Sequence, residues 1–118
     1  MFQGWIIRGR LIPWLASWFF SVGGITLFPF IFVHPDHESD RLINHERIHI
    51  EQQKETLVIG FYAVYLFDWL SGLRARGPKG AYQSIRFEME AYNNDDNQLY
   101  IPTRQAYAWM DYSVGKDT

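Results

Sequence analysis

From Leu11 to Val33 the chain carries no charged residue, and from about Ser39 onward it is charged and periodic. That switch constrains the fold more than any other feature. An uncharged run of this length is either a membrane-inserted segment or the inside of a protein. Pro13, Pro29, Ser17, Ser21, Thr26 and the Gly23-Gly24 pair interrupt it. They favour two short segments with a break at the glycines. The second segment, "ITLFPFIFV" from Ile25 to Val33, is β-branched and aromatic, as strands are. Pro29 lacks an N–H, which suits an edge strand. The expectation is a buried or edge hairpin. Membrane association is possible but not favoured. Arg8 and Arg10 precede the run, yet no small-residue cleavage site follows it, so no signal peptide is expected. The compartment stays unknown, with the cytoplasm slightly preferred.

After the switch, Ser39 or Asp40 is the expected N-cap of a helix running through "LINHERIHIEQQKE" and on to about Leu57. The next stretch, "TLVIGFYAVYLFDWLSGL", is apolar almost all round and reads as a buried helix, with Gly60 as a break. "RARGPKG" reads as a loop. "AYQSIRFEMEAYNN" reads as one further helix, whose inward face carries Ala81, Ile85, Glu88, Met89 and Tyr92. The same spacing turns Glu90 outward. "NNDDN" reads as a polar turn, and a last helical or irregular segment covers about Pro102 to Tyr112. At 118 residues the chain is expected to form a single domain, 1–118.

The charge excludes one function class. Eleven basic against 13 acidic residues leave a net charge of −2, with no basic footprint for nucleic acid. The absence of cysteine excludes disulfides and thiolate ligands, so any zinc must rest on histidine and carboxylate. His45, Glu46 and His49 spell H-E-x-x-H. On a helix, residues four apart share a face, so both imidazoles can reach one metal ion. Glu46 then projects beside the ion, where a carboxylate can take a proton from water. The bland alternative is a solvated helix face, and the pattern arises by chance in roughly 0.7% of chains of this composition. Zinc wants a third protein ligand, for which His34, His37, Glu88 and Glu90 are candidates. His34 and His37 sit in a Pro-containing loop, where histidines are usually surface residues. Glu88 on an apolar face needs a partner, either a metal or one of Arg86, Arg104 and Arg47.

"INHERIHIEQQKE" followed by "IRFEMEAY" resembles the gluzincin clan of zinc metallopeptidases, including its small stand-alone members. "FEMEAY" is similar to the F-E-x-x-A-D segment of the CAAX-prenyl-protease branch. The resemblance covers about Ile25 to Tyr92. It implies an α+β, zincin-like minimal domain, with a small N-terminal β-sheet packed on the H-E-x-x-H helix and a downstream glutamate helix. It implies zinc on His45, His49 and Glu88, Glu46 as general base, and peptide or protein as substrate. It further implies that Ile25–Val33 is the edge strand that pairs with a substrate backbone. One departure is plain: where the clan often has an aspartate four residues after the ligand glutamate, this chain has Tyr92. Tyr92, His37 and Arg104 are candidates for support of the ligands or of the oxyanion, as are Tyr82, Tyr100 and Tyr107. The alternative function is a non-catalytic zincin-like binding or structural component of a larger assembly. The oligomeric state stays open.

Overall fold

The structure is a computed structural model, and it describes residues 3–9 and 24–112. Leu11 to Gly23, the first part of the uncharged run, lies outside the described residues.

The protein is α+β. A three-stranded sheet has the order β1-β3-β2, formed by β1 (Trp5–Arg8), β2 (Gly24–Leu27) and β3 (Phe30–Val33). β1 runs parallel to β3 and β2 antiparallel to it. Ile25–Val33 is thus two strands rather than one. Pro29 sits in the turn between them, where its missing N–H costs no ladder bond. Among the described residues β3 is central, and β1 and β2 are the two edges. β1 had no signal in the sequence, because four residues are too few to establish a period.

A short 3-10 turn (Pro35–His37) leads into α1 (Asp40–Glu55). Ser39 caps α1, its hydroxyl accepting from the Leu42 N–H at 3.0 Å. Eight residues of α1 are buried, and six of them are polar: Asn44, His45, Glu46, His49, Gln52 and Gln53. Burial of that many polar groups is costly unless each finds a partner. Each does. Asn44 donates to the carbonyls of Asp95 and Asn97, and Gln53 accepts from the Phe28 N–H and donates to the Thr26 carbonyl. Gln53 thereby ties the helix to the β2–β3 hairpin. Ile31, Val33 and Ile50 form the core between sheet and helix.

α1 ends at Glu55, earlier than Leu57, because Leu57 and Val58 both take positive φ angles (57° and 66°). These are uncommon for branched side chains, and they turn the chain sharply into α2 (Ile59–Gln83). α2 corrects two expectations. Its apolar stretch is not buried all round: Phe61, Asp68 and Gly72 face inward, whereas Ile59, Leu66, Phe67 and Leu70 are exposed. "RARGPKG" is not wholly a loop either. Helix continues through Arg76, breaks at Gly77 (φ 73°) and resumes at Pro78. Glycine takes that φ without strain, and proline is at ease in a first helical turn.

α3 (Arg86–Asn94) starts later than expected, since Ile85 is extended. Ala81 therefore belongs to the preceding helical turn and not to the Glu88 helix. Phe87 of α3 stacks on Phe61 (centroids 4.4 Å apart) and meets Trp109 edge-on at 4.8 Å. With Tyr82 and Ile85 these residues make the second core. The C-terminal segment contains a one-turn helix, α4 (Tyr100–Thr103), and a 3-10 turn (Ala108–Asp111).

Candidate metal centre

α1 places His45 and His49 one turn apart, with ring centroids separated by 4.9 Å. α3 crosses it and brings Glu88 between them. Glu88 Oε1 lies 2.9 Å from His45 Nε2 and 3.1 Å from His49 Nε2. All three residues are buried, and one ligand atom from each lies within 4.8 Å of the others. Tetrahedral zinc with bonds of about 2.0–2.1 Å separates its ligands by roughly 3.3 Å, so the two contacts to Glu88 need only a few tenths of an ångström of opening to match it.

The remaining atoms of the three side chains are already held. His45 Nδ1 is 2.9 Å from Asp95 Oδ2, and His49 Nδ1 is 2.7 Å from Gln52 Oε1. Glu88 Oε2 accepts from the Tyr65 hydroxyl at 2.7 Å. An imidazole that donates from Nδ1 presents its Nε2 lone pair, which is what a metal requires. The donor set therefore fits a zinc ion held by His45, His49 and Glu88.

Without a metal the same groups form a buried ion-pair cluster of protonated imidazoles and carboxylates. Burial opposes charge on His45, but Asp95 and Glu88 overcome it and lift its pKa from 6.5 to about 10. His49 is raised too, as Glu88 outweighs burial. Burial alone would raise Glu88, yet the two imidazoles hold it well below the ordinary carboxylate range. The sign follows for folding: the stabilisation from His45 is complete below about pH 6.5 and is lost as pH rises through about 10. A metal must displace those protons. Zinc affinity should therefore rise between about pH 6 and about pH 8, by roughly tenfold per unit for each proton released. Competition titration across that range, with calorimetry in buffers of different ionisation enthalpy, measures both quantities.

Glu46 is also buried, on the side of α1 that faces the sheet. The Thr26 hydroxyl of β2 sits 2.8 Å from its Oε1. Glu46, His49 and Glu88 form the floor of a cleft of about 370 Å³. One wall is β2, Gly24 to Leu27. The other is apolar and aromatic, with Phe61, Tyr62, Tyr65, Leu66, Trp69 and Tyr82. Burial and the nearby Glu88 carboxylate push the Tyr65 and Tyr82 hydroxyls well above the usual tyrosine range, so both stay protonated.

The other sequence-derived candidates are placed as follows. Tyr92 does not hydrogen-bond His45 or His49. Its ring packs on His45 (centroids 4.4 Å apart), and its hydroxyl meets that of Tyr82 at 2.7 Å. Asp95 occupies the supporting role instead, seven residues after Glu88 and on the same helical face. That spacing was available in the sequence but was hidden within the apparent polar turn. His37 is exposed in the 3-10 turn, its ring 5.0 Å from that of His34, away from the cleft floor. Glu90 is fully buried rather than outward. Arg104 reaches in to pair with Glu90 and Glu55, and Tyr100 donates to Glu90. Tyr107 is exposed, and its backbone N–H donates to Glu55. Arg104 thus touches the site only through Glu90 and Gln52, which bond at 2.9 Å. Of the six residues considered for the oxyanion, Tyr82 alone lines the cleft; Tyr65, which also lines it, was not foreseen.

No family model matches the chain, and no curated protein or solved structure matches it significantly.

Asp95→Ala removes the His45 support and leaves all three ligands in place. It should weaken zinc binding by about 10- to 100-fold. Chelator competition on variant and wild type measures the shift.

Proposed function

We propose that the chain is a small zinc-dependent metallopeptidase of gluzincin type, built on a zincin-like minimal domain. The observation that carries this reading is the convergence of His45 Nε2, His49 Nε2 and Glu88 Oε1, with Glu46 beside them on the floor of an apolar cleft. A purely structural zinc site has no use for Glu46. Zinc bound there supplies a Lewis acid for a peptide carbonyl and lowers the pKa of water. Glu46 accepts the proton from the attacking water and returns it to the leaving amine. The Thr26 hydroxyl holds the Glu46 carboxylate in orientation. Tyr82, whose O–H is not committed by its contact with Tyr92, offers a phenolic donor toward a developing oxyanion, whereas the Tyr65 O–H is already given to Glu88. The edge strand β2 lines the cleft, so an extended peptide can add to the sheet there and bury an apolar side chain against Phe61 and Trp69.

The test begins with metal content. The purified chain, resupplied with zinc, should hold one ion and cleave members of a broad peptide library. A chelator should abolish cleavage and zinc should restore it, and His49→Ala should lose both metal and activity. One bound zinc with no cleavage anywhere in the library would assign the chain to the non-catalytic alternative, a zincin-like binding or structural component.

A further inference from the structure

α2 is apolar on two opposite faces, and among the described residues only one is covered. Phe61, Asp68 and Gly72 point into the protein. About half a turn away, Ile59, Leu66, Phe67 and Leu70 form a stripe at i, i+7, i+8 and i+11, exposed by 82%, 55%, 65% and 53%. Leu57, in the sharp turn before the helix, extends the stripe and is 84% exposed. A continuous exposed apolar stripe of this kind marks an interaction surface.

The charges around the stripe select the partner. Between Thr56 and Gly80 the one acidic residue is Asp68. It is fully buried and forms a two-point ion pair with Arg86. Arg74, on the stripe face one turn beyond Leu70, and Lys79 after the Gly77 break are both exposed. The outer surface of this segment thus combines large apolar side chains with positive charge only. An anionic lipid surface offers both complements, hydrocarbon for the stripe and headgroup charge for Arg74 and Lys79. A second copy of the same face offers no exposed acidic group from this segment. Among the described residues no single helix is long and apolar enough to cross a membrane. A helix that lies in the interface needs no such length.

We propose that the outer face of α2, from Leu57 to Leu70 with Arg74 and Lys79, docks the protein on an anionic lipid bilayer. This does not depend on the peptidase reading. In the sequence, the question of membrane association falls on the Leu11–Val33 run, whose prolines and glycines speak against it, while the α2 stretch is expected to be buried; the outer face of α2 is exposed. Docking would also set the cleft beside the bilayer, since Leu66 belongs to both the stripe and the cleft wall.

The experiment is vesicle flotation of the full chain. Vesicles of phosphatidylcholine alone are compared with vesicles containing phosphatidylglycerol, at low and high salt. Wild type should float with the anionic vesicles and be partly released by salt. Phe67→Glu/Leu70→Glu should lower the partition by roughly tenfold or more. Arg74→Ser/Lys79→Ser should remove the anionic preference, by roughly fivefold per charge. These side chains are solvent-facing, so circular dichroism should stay unchanged. The milder Phe67→Ala/Leu70→Ala variant should give an intermediate loss. Failure of wild type to float with either vesicle, or equal flotation by the folded glutamate variant, overturns the proposal. A concentration-dependent dimer without flotation, lost in the glutamate variant, assigns the face to a second copy instead.

Discussion

Glu46→Gln should bind zinc as wild type does and cleave peptide at least about 100-fold more slowly, the usual scale for removal of a general base. The substitution keeps shape and volume, and glutamine can still accept the Thr26 hydroxyl bond that Glu46 accepts at 2.8 Å. Glu46 is not among the three converging donors, so the metal should be retained. What is lost is the ability to take a proton. The control is Thr26→Val, which leaves the carboxylate in place but frees its orientation, and which should cost less than the loss of the base. Both variants are to be assayed at matched zinc occupancy on one peptide. Equal rates for Glu46→Gln and wild type would remove Glu46 from the chemistry.

Arg104→Ala should destabilise the fold by about 3–5 kcal/mol, as expected when a buried ion pair loses one partner. Its side chain is 4% exposed, and it binds the fully buried Glu90 together with Glu55. Without it the Glu90 carboxylate keeps only Gln52 and Tyr100 as donors. Gln52 is the residue that orients His49, so zinc affinity should fall along with stability. Environment, and not pair geometry, sets the size of this effect. Arg8 and Glu38 make a similar two-point pair with a shortest contact of 2.7 Å, but the Arg8 side chain is 55% exposed. Arg8→Ala should therefore change stability little. Denaturant unfolding of both variants gives the comparison. Arg104→Met combined with Glu90→Gln should recover part of the loss, because the fully buried Glu90 charge is then gone, while Glu55, its side chain 14% exposed, loses its cation and keeps the Tyr107 N–H.

Residues close together along the chain were the legible ones. His45, Glu46 and His49 fall within two turns of one helix, so their geometry follows from helical pitch, and the Ser39 cap follows from local hydrogen bonding. The change from strand-like to helical sequence near Ser39 was equally local, and the α+β class followed from it. Glu88 was placed on the inward side by periodicity, even though its helix starts at Arg86 and not near Ala81.

Tertiary structure decided everything that depends on what lies across from a side chain. Periodicity turned Glu90 outward, but α3 is enclosed on both sides, and Glu90 is tolerable there because Arg104, 14 residues on, arrives to neutralise it. Asp95 rather than Tyr92 supports His45, because Asp95 is still helical at the end of α3 and shares the Glu88 face, and the crossing of α1 brings the His45 ring to its carboxylate. Pro29 broke a supposed strand into a hairpin, and β1 was added from the far side of the uncharged run. Hydrophobicity told equally little about where the outer face of α2 points. Apolar composition states that a surface avoids water and not which neighbour covers it, whereas the H-E-x-x-H turns of helix carry their spacing within themselves.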